Sequence, residues 1–257
     1  MMQANDDRPH VGRVYDYVLG GQHNFPVDQQ AAARIMEVLP AYPKWAQLNR
    51  RFLQWVADQW ATAGQQYVLD LGSGLPTQGH LHERMPEAQI LYSDNDPLCV
   101  TAGGELVAHL PNVAYVQADL RDADQVLKAA VDFFPAQPRV GIDFIGVTYL
   151  LDDEQVTSLA HRLHAWAAPG SVMAVSFLQR DLSPNGRVFA EELQQRLEQM
   201  GIIVYYRTPA QISALLAPWQ LVEARPLEQW IGQVDSVTSE DRVQDLFWMS
   251  GALLTHS

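Results

Sequence analysis

Tyr67-Val68-Leu69-Asp70-Leu71-Gly72-Ser73-Gly74 is an apolar run that ends in an acid and a Gly-x-Gly turn. About one strand and one helix later, Leu91-Tyr92-Ser93-Asp94-Asn95-Asp96-Pro97 again runs from apolar residues to a terminal acid. Two such runs in succession put glycines and carboxylates at the carboxyl ends of neighbouring parallel strands. That is where an open α/β sheet holds a nucleoside cofactor.

Outward from this pair, the strand, turn and helix rhythm continues. Strands are predicted at 66–71, 89–94, 113–117, 140–148 and 171–178, with 219–224 and 247–254 completing a seven-stranded sheet. Asp96-Pro97, Ser183-Pro184 and Thr208-Pro209 each set a capping residue before a proline suited to the first helical position, and Asp152-Asp153 can cap the helix after the fourth strand. The fold class predicted is α/β, a doubly wound, mostly parallel, Rossmann-like sheet covered on both faces. Residues 1–65 read differently, as helices and a glycine turn. Ala31, Ile35, Val38 and Leu39 share one helical face in 28–39, and Trp45, Leu48, Phe52, Trp55, Val56 and Trp60 share another in 44–61. The expected organisation is an N-terminal helical cap, 1–65, on a cofactor-binding domain, 66–257.

The 257 residues, 47% hydrophobic and 18% charged, suit one well-buried core. A formal charge of −13 argues against a sequence-independent grip on nucleic acid, which needs clustered Lys and Arg. Cys99 is the single cysteine, so no internal disulfide forms. The start lacks a basic and apolar leader, and no apolar run is long enough to span a bilayer. A cytoplasmic protein is expected, with no membrane or nucleic-acid partner.

The spacing separates two cofactor classes. Dinucleotide sites use G-x-G-x-x-G, whose third glycine lets the helix pack close beneath the pyrophosphate. Here Gly79 comes two positions late and Pro76 intervenes. Asp70 would repel phosphates and attract an amino or sulfonium group. An NAD-dependent oxidoreductase is therefore disfavoured, and the D-x-G-x-G pattern resembles the S-adenosylmethionine turn of class I methyltransferases. In that frame Asp70, Gly72, Ser73 and Gly74 form the turn, and Asp94 can accept both ribose hydroxyls. Asn95 lies beside the adenine. Asp119 accepts from the adenine amino group while the Leu120 backbone N–H donates to the ring. Thr148 and Tyr149 are expected to end the fourth strand, beneath the transferable methyl.

A wider resemblance follows from Arg13-Val14-Tyr15-Asp16-Tyr17-Val18-Leu19-Gly20-Gly21-Gln22-His23-Asn24-Phe25, Asn49-Arg50-Arg51-Phe52-Leu53, Leu69 to Thr77, His82-Glu83 and Asp94-Asn95-Asp96-Pro97. With Pro169-Gly170-Ser171, Tyr206-Arg207-Thr208 and Leu221-Val222-Glu223, these segments resemble a bacterial S-adenosyl methyltransferase family of long-unknown substrate, over nearly the whole chain. The resemblance implies a class I methyltransferase sheet with an N-terminal helical cap, the Y-D-Y-x-L-G-G segment lying near the cofactor. Tyr149-Leu150 stands where many relatives carry a His-His pair, so a histidine base there is missing.

Methyl transfer asks the protein chiefly for alignment, with a base only where the acceptor holds a proton. His23 and Tyr149 are the candidates for that base. Tyr15 beside the cofactor, and Tyr17, Asn24 and Phe25 toward the substrate, are candidates for the pocket wall; aromatic faces favour a sulfonium. His80, His82 and Glu83 do not have metal-ligand spacing and read as packing or capping, so no metal is expected. Cys99 reads as a buried small residue. The segment after the fourth strand lacks an Asn-Pro-Pro-aromatic motif and a Pro-Cys pair, which turns the expectation from nucleic-acid bases to a small molecule. The expected activity is O- or N-methylation of a small acceptor, of which a secondary metabolite is one class, by S-adenosylmethionine, yielding S-adenosylhomocysteine. The alternative is a catalytically silent binder of these ligands, serving as sensor or partner.

Overall fold

The computed structural model describes residues 8–77, 79–180, 184–199, 201–238, 241 and 247–257. Three helices come first: α1 (Val11–Val18), α2 (Pro26–Val38) and α3 (Tyr42–Thr62). Then β1 (Tyr67–Leu71), α4 (Leu81–Arg84), β2 (Gln89–Asp94), α5 (Pro97–Val107), β3 (Val113–Gln117), α6 (Ala123–Phe133), β4 (Val140–Phe144), α7 (Asp153–Trp166) and β5 (Val172–Arg180) alternate. The chain continues through α8 (Pro184–Gln199), α9 (Pro209–Leu215), β6 (Gln220–Pro226), α10 (Leu227–Trp230) and β7 (Phe247–Thr255).

The strand order is β3-β2-β1-β4-β5-β7-β6, with β7 antiparallel to both neighbours and the other pairs parallel. The direction of winding reverses between β1 and β4, which opens a crevice at their carboxyl ends. Asp70 and Asp143 are register partners there, so their side chains leave the sheet side by side on one face.

That face is covered by α3, whose buried Trp45, Leu48, Phe52, Val56 and Trp60 recur at helical spacing. The contact is close where the sheet has no side chain: a Cβ at Gly251 would lie 2.6 Å from Phe52 Cζ, and one at Gly141 3.0 Å from Trp60. A smaller cluster, Val14, Ala32 and Ile35, joins α1 to α2. The opposite face packs on α6, α7 and α9 through Val126, Leu159, Leu163 and Ile212.

The expected strands are present, with one correction. Strand four was expected to run to residue 148 but stops at Phe144. Gly146 takes φ +88° and its N–H donates to Ser176 Oγ at 2.8 Å, turning the chain out of the ladder. Thr148 and Tyr149 therefore lie on a 3-10 turn, Thr148–Leu150, rather than ending the strand. Asp96, Asp152 and Thr208 cap α5, α7 and α9 as expected. The expected cap Ser183 lies outside the described residues.

Candidate active site

The turn after β1 is folded by its glycines and held by its neighbour strand. Gly72 and Gly74 have φ +69° and +59°, and a Cβ at Gly72 would stand 2.7 Å from Val147. The Ser73 N–H donates to Ser93 O at 2.8 Å, and the Gly74 N–H donates to Asp94 Oδ2 at 2.9 Å. Asp94 Oδ1 accepts the Asp96 N–H at 2.9 Å. The carboxylate at the end of β2 is thus fixed by two backbone donors, and each oxygen keeps a lone pair for a ligand. Burial raises the pKa of Asp94. Helix α1 crosses above, so close that a Cβ on Gly12 would meet Gly74 Cα at 3.3 Å.

A cavity of about 600 Å³ opens at this point. Asn49 and Arg50 of α3, Asp70 and His80 line it, and each carries a buried polar atom without a hydrogen-bond partner: Asn49 Oδ1, Arg50 NH1, Asp70 Oδ2 and His80 Nδ1. Asp70 Oδ2 and His80 Nδ1 are 3.7 Å apart. Asp143 Oδ2, behind Asp70, is likewise unpaired, while its Oδ1 accepts the Ile145 N–H at 3.0 Å. Burial and the Asp143 charge push the Asp70 carboxyl well up; burial pushes Asp143 up to about 7. Burial and the Arg50 cation hold His80 well down, as a neutral ring. Unpaired polar atoms cost about 1–3 kcal/mol each when buried, and here they sit together on one cavity wall.

Much of the remaining lining is apolar. Leu39 and Leu53, Ile145, Leu193 and Leu197 of α8 and Met249 contribute to it. Tyr149 is set into this lining by a buried clasp: Arg207 donates to Thr148 O at 2.7 Å and Leu151 O at 2.6 Å and pairs with Asp153 at 2.8 Å. Burial, with Tyr15 and Tyr42 nearby, raises the Tyr149 pKa well above that of an ordinary phenol.

The family described as S-adenosyl methyltransferase matches residues 2–252. The chain belongs to the S-adenosyl methyltransferase family. It is an S-adenosylmethionine-dependent methyltransferase. It is similar to a candidate methyltransferase from Thermobifida fusca YX, with 26% identity, TM-score 0.85, and coverage of 98% of this chain and 97% of the other. It is similar to a DUF574 family protein from Streptomyces avermitilis MA-4680, with 27% identity, TM-score 0.84 and coverage of 98% of each chain. Magnesium protoporphyrin IX methyltransferase from Synechocystis PCC 6803, solved with bound S-adenosylhomocysteine, shares the fold at 13% identity, with TM-score 0.56 over 95% and 93% of the two chains. No curated protein matches the sequence.

In this methyltransferase Tyr15, Asp70, Gly72, Ser73, Gly74, Asp94, Asn95, Asp119, Leu120 and Tyr149 all line the one cavity. Asp119 also binds Arg121, which lowers its pKa. Thr148 lies outside the cavity wall, buried, with its hydroxyl donating to Ser176 O. His23, Asn24, Phe25 and Tyr17 lie outside it too. The His23 N–H and Asn24 Nδ2 both donate to Asp16 Oδ2, at 2.9 and 3.0 Å. Phe25 packs under the Arg13 guanidinium, 5.4 Å from its ring centre, and Tyr17 faces solvent.

Two residues of the Arg13–Phe25 segment escaped the sequence reading. Asp16 binds the following loop and also accepts from Thr77 Oγ1 at 3.0 Å, beside the glycine turn. Arg13, buried, pairs with Asp28 of α2 at 3.0 Å and with Asp96 at 2.6 Å. The signal was a cation among buried apolar spacings. His10, Asp96 and Cys99 cluster closely enough to hold a metal ion. Arg13 already supplies the positive charge there, and His10 Nδ1 accepts the Gly12 N–H at 3.3 Å. His80 caps α4 with Glu83, and burial raises the Cys99 thiol pKa. Among the described residues, no helix is long and apolar enough to cross a membrane.

Proposed function

We propose that the cavity holds the amino-acid end of S-adenosylmethionine on the Asn49, Arg50, Asp70 and His80 wall, with the adenosine along the carboxyl ends of β1, β2 and β3. The observation that carries this is the set of four unpaired buried atoms in one patch. Three are acceptors and suit an ammonium's three N–H bonds; the Arg50 guanidinium suits a carboxylate. Asp94 would take the ribose hydroxyls, and Asn95, Asp119 and the Leu120 N–H the adenine. When bound, the cofactor supplies a methyl group activated by its sulfonium. Tyr15 walls that centre, and Tyr149 orients the acceptor as a neutral phenol rather than as a base. Residues 1–65 act as a cap that keeps water out. The acceptor is a small molecule rather than a nucleic acid, methylated at O or N in the cytoplasm.

Calorimetric titration with S-adenosylhomocysteine, 5′-methylthioadenosine and NADH tests this. 5′-Methylthioadenosine keeps the nucleoside and lacks the amino acid. Asp94→Ala should weaken both adenosyl ligands. Arg50→Ala should weaken S-adenosylhomocysteine alone by about 10–100-fold, the range of a charged hydrogen bond. NADH as the sole ligand, or equal losses for both ligands in Arg50→Ala, would refute the assignment.

A further inference from the structure

We propose that the methyl acceptor is an apolar small molecule carrying an acidic hydroxyl or carboxyl group, taken up as its anion and methylated on oxygen; this rests on the proposed function above. Where α2, α3, α8 and residues 201–206 line the cavity, the charged side chains among the described residues are Arg34 and Arg50, both cations. Arg50 faces the polar wall. Arg34 is exposed on α2 at the rim and makes no ion pair among the described residues. The carboxylates of the cavity, Asp70, Asp94 and Asp119, all stand on the strand ends of the cofactor side.

This distribution selects among nucleophiles. An amine arrives protonated, so it needs an acid to pair with its cation and a base to free its lone pair. The apolar wall supplies neither. Its hydroxyls on Tyr15, Tyr42 and Tyr149 are half-buried, neutral phenols, which cannot take a proton, and that of Tyr15 already donates to Ala46 O at 2.9 Å. A phenol or carboxylic acid brings its own negative charge, attracted by Arg34, and an apolar body that Leu39, Leu193, Leu197 and Met249 can cover. The acceptor oxygen then takes the methyl with no proton to place. An O–CH3 bond forms as the S–CH3 bond breaks, the bonding pair stays on sulfur, and the anionic and sulfonium charges cancel.

The test is calorimetry on the full chain saturated with S-adenosylhomocysteine, using 2-naphthoate, 2-naphthamide and 2-naphthylmethylamine as anionic, neutral and cationic probes of one shape. The anion should bind tightest and the amine at least about tenfold weaker. Arg34→Gln, an exposed substitution, should weaken 2-naphthoate by about two- to fivefold and leave the amide unchanged. An amine that binds as tightly as the acid overturns the proposal. So does a protein that binds S-adenosylhomocysteine and none of the three. Failure of S-adenosylhomocysteine itself to bind overturns instead the cofactor seat on which the proposal stands.

Discussion

The strand-end side of the cavity and the helical wall facing it are built by different means. On the strand side, backbone does the positioning: Gly74 and Asp96 N–H groups fix Asp94, and Ser73 and Ser93 bind each other's main chain across β1 and β2. On the helical side, side chains far apart in sequence do it. Arg13 reaches Asp96, 83 residues away, and Arg207 reaches Thr148, 59 residues away. The strand side is set by local chain geometry and suits an invariant ligand. The wall is set by long-range pairs, and its lining can be changed without altering the turn beneath it.

The strongest way to break that division is at the buried bridge between the two sides. Arg13→Ala leaves Asp28 and Asp96 buried without their shared cation and should cost about 3–5 kcal/mol, read as the shift in urea unfolding. A loss under about 1 kcal/mol would mean that the two sides do not depend on this link.

A smaller effect tests the polar patch. Asp143, facing Asp70, Arg50 and the Ile145 N–H, has a folded pKa of about 7, above the ordinary carboxylate value of about 4. The folded chain therefore holds a proton that the unfolded chain has released, and stability should fall as pH rises from about 4 through 7. Asp143→Asn removes this contribution. Its melting temperature relative to the parent should climb between pH 5 and pH 8, and parallel pH profiles for the two proteins would contradict the burial argument.

The smallest effect sharpens the role of the wall. Tyr149→Phe removes one hydrogen bond, worth about 1 kcal/mol, so kcat should drop less than about tenfold with its pH profile unmoved. A loss of about 100-fold or more together with a vanished basic limb would make Tyr149 a base.

What the sequence disclosed follows the same division. Asp70, Gly72, Gly74 and Asp94 were readable because a tight turn and a strand-end carboxylate are short-range demands on the chain. Strand four was overextended because Ile145, Val147 and Thr148 have strand character, while the left-handed Gly146 that ends it looks like any other glycine in the sequence. His80 was readable as a cap. Its unpaired Nδ1 beside Asp70 depends on burial by α3, which spacing does not encode. His23 and Asn24 drew attention as chemistry-bearing types; the structure shows the His23 backbone N–H and the Asn24 amide bound to Asp16 in the loop after α1.

The position of β7 has a consequence for how the molecule is made. It lies between β5 and β6, pairing with β5 from Val172↔Thr255 to Arg180↔Phe247 and with β6 along its other edge. During synthesis, β5 leaves the ribosome long before its partner, and β6 has no sheet to join until residues 247–255 follow. The nascent chain thus carries an open sheet edge next to the future cofactor crevice, the kind of edge that invites pairing with other chains. Chaperone dependence of this methyltransferase should therefore be set by β7, while the glycine turn, complete some 170 residues earlier by sequence position, is already in place.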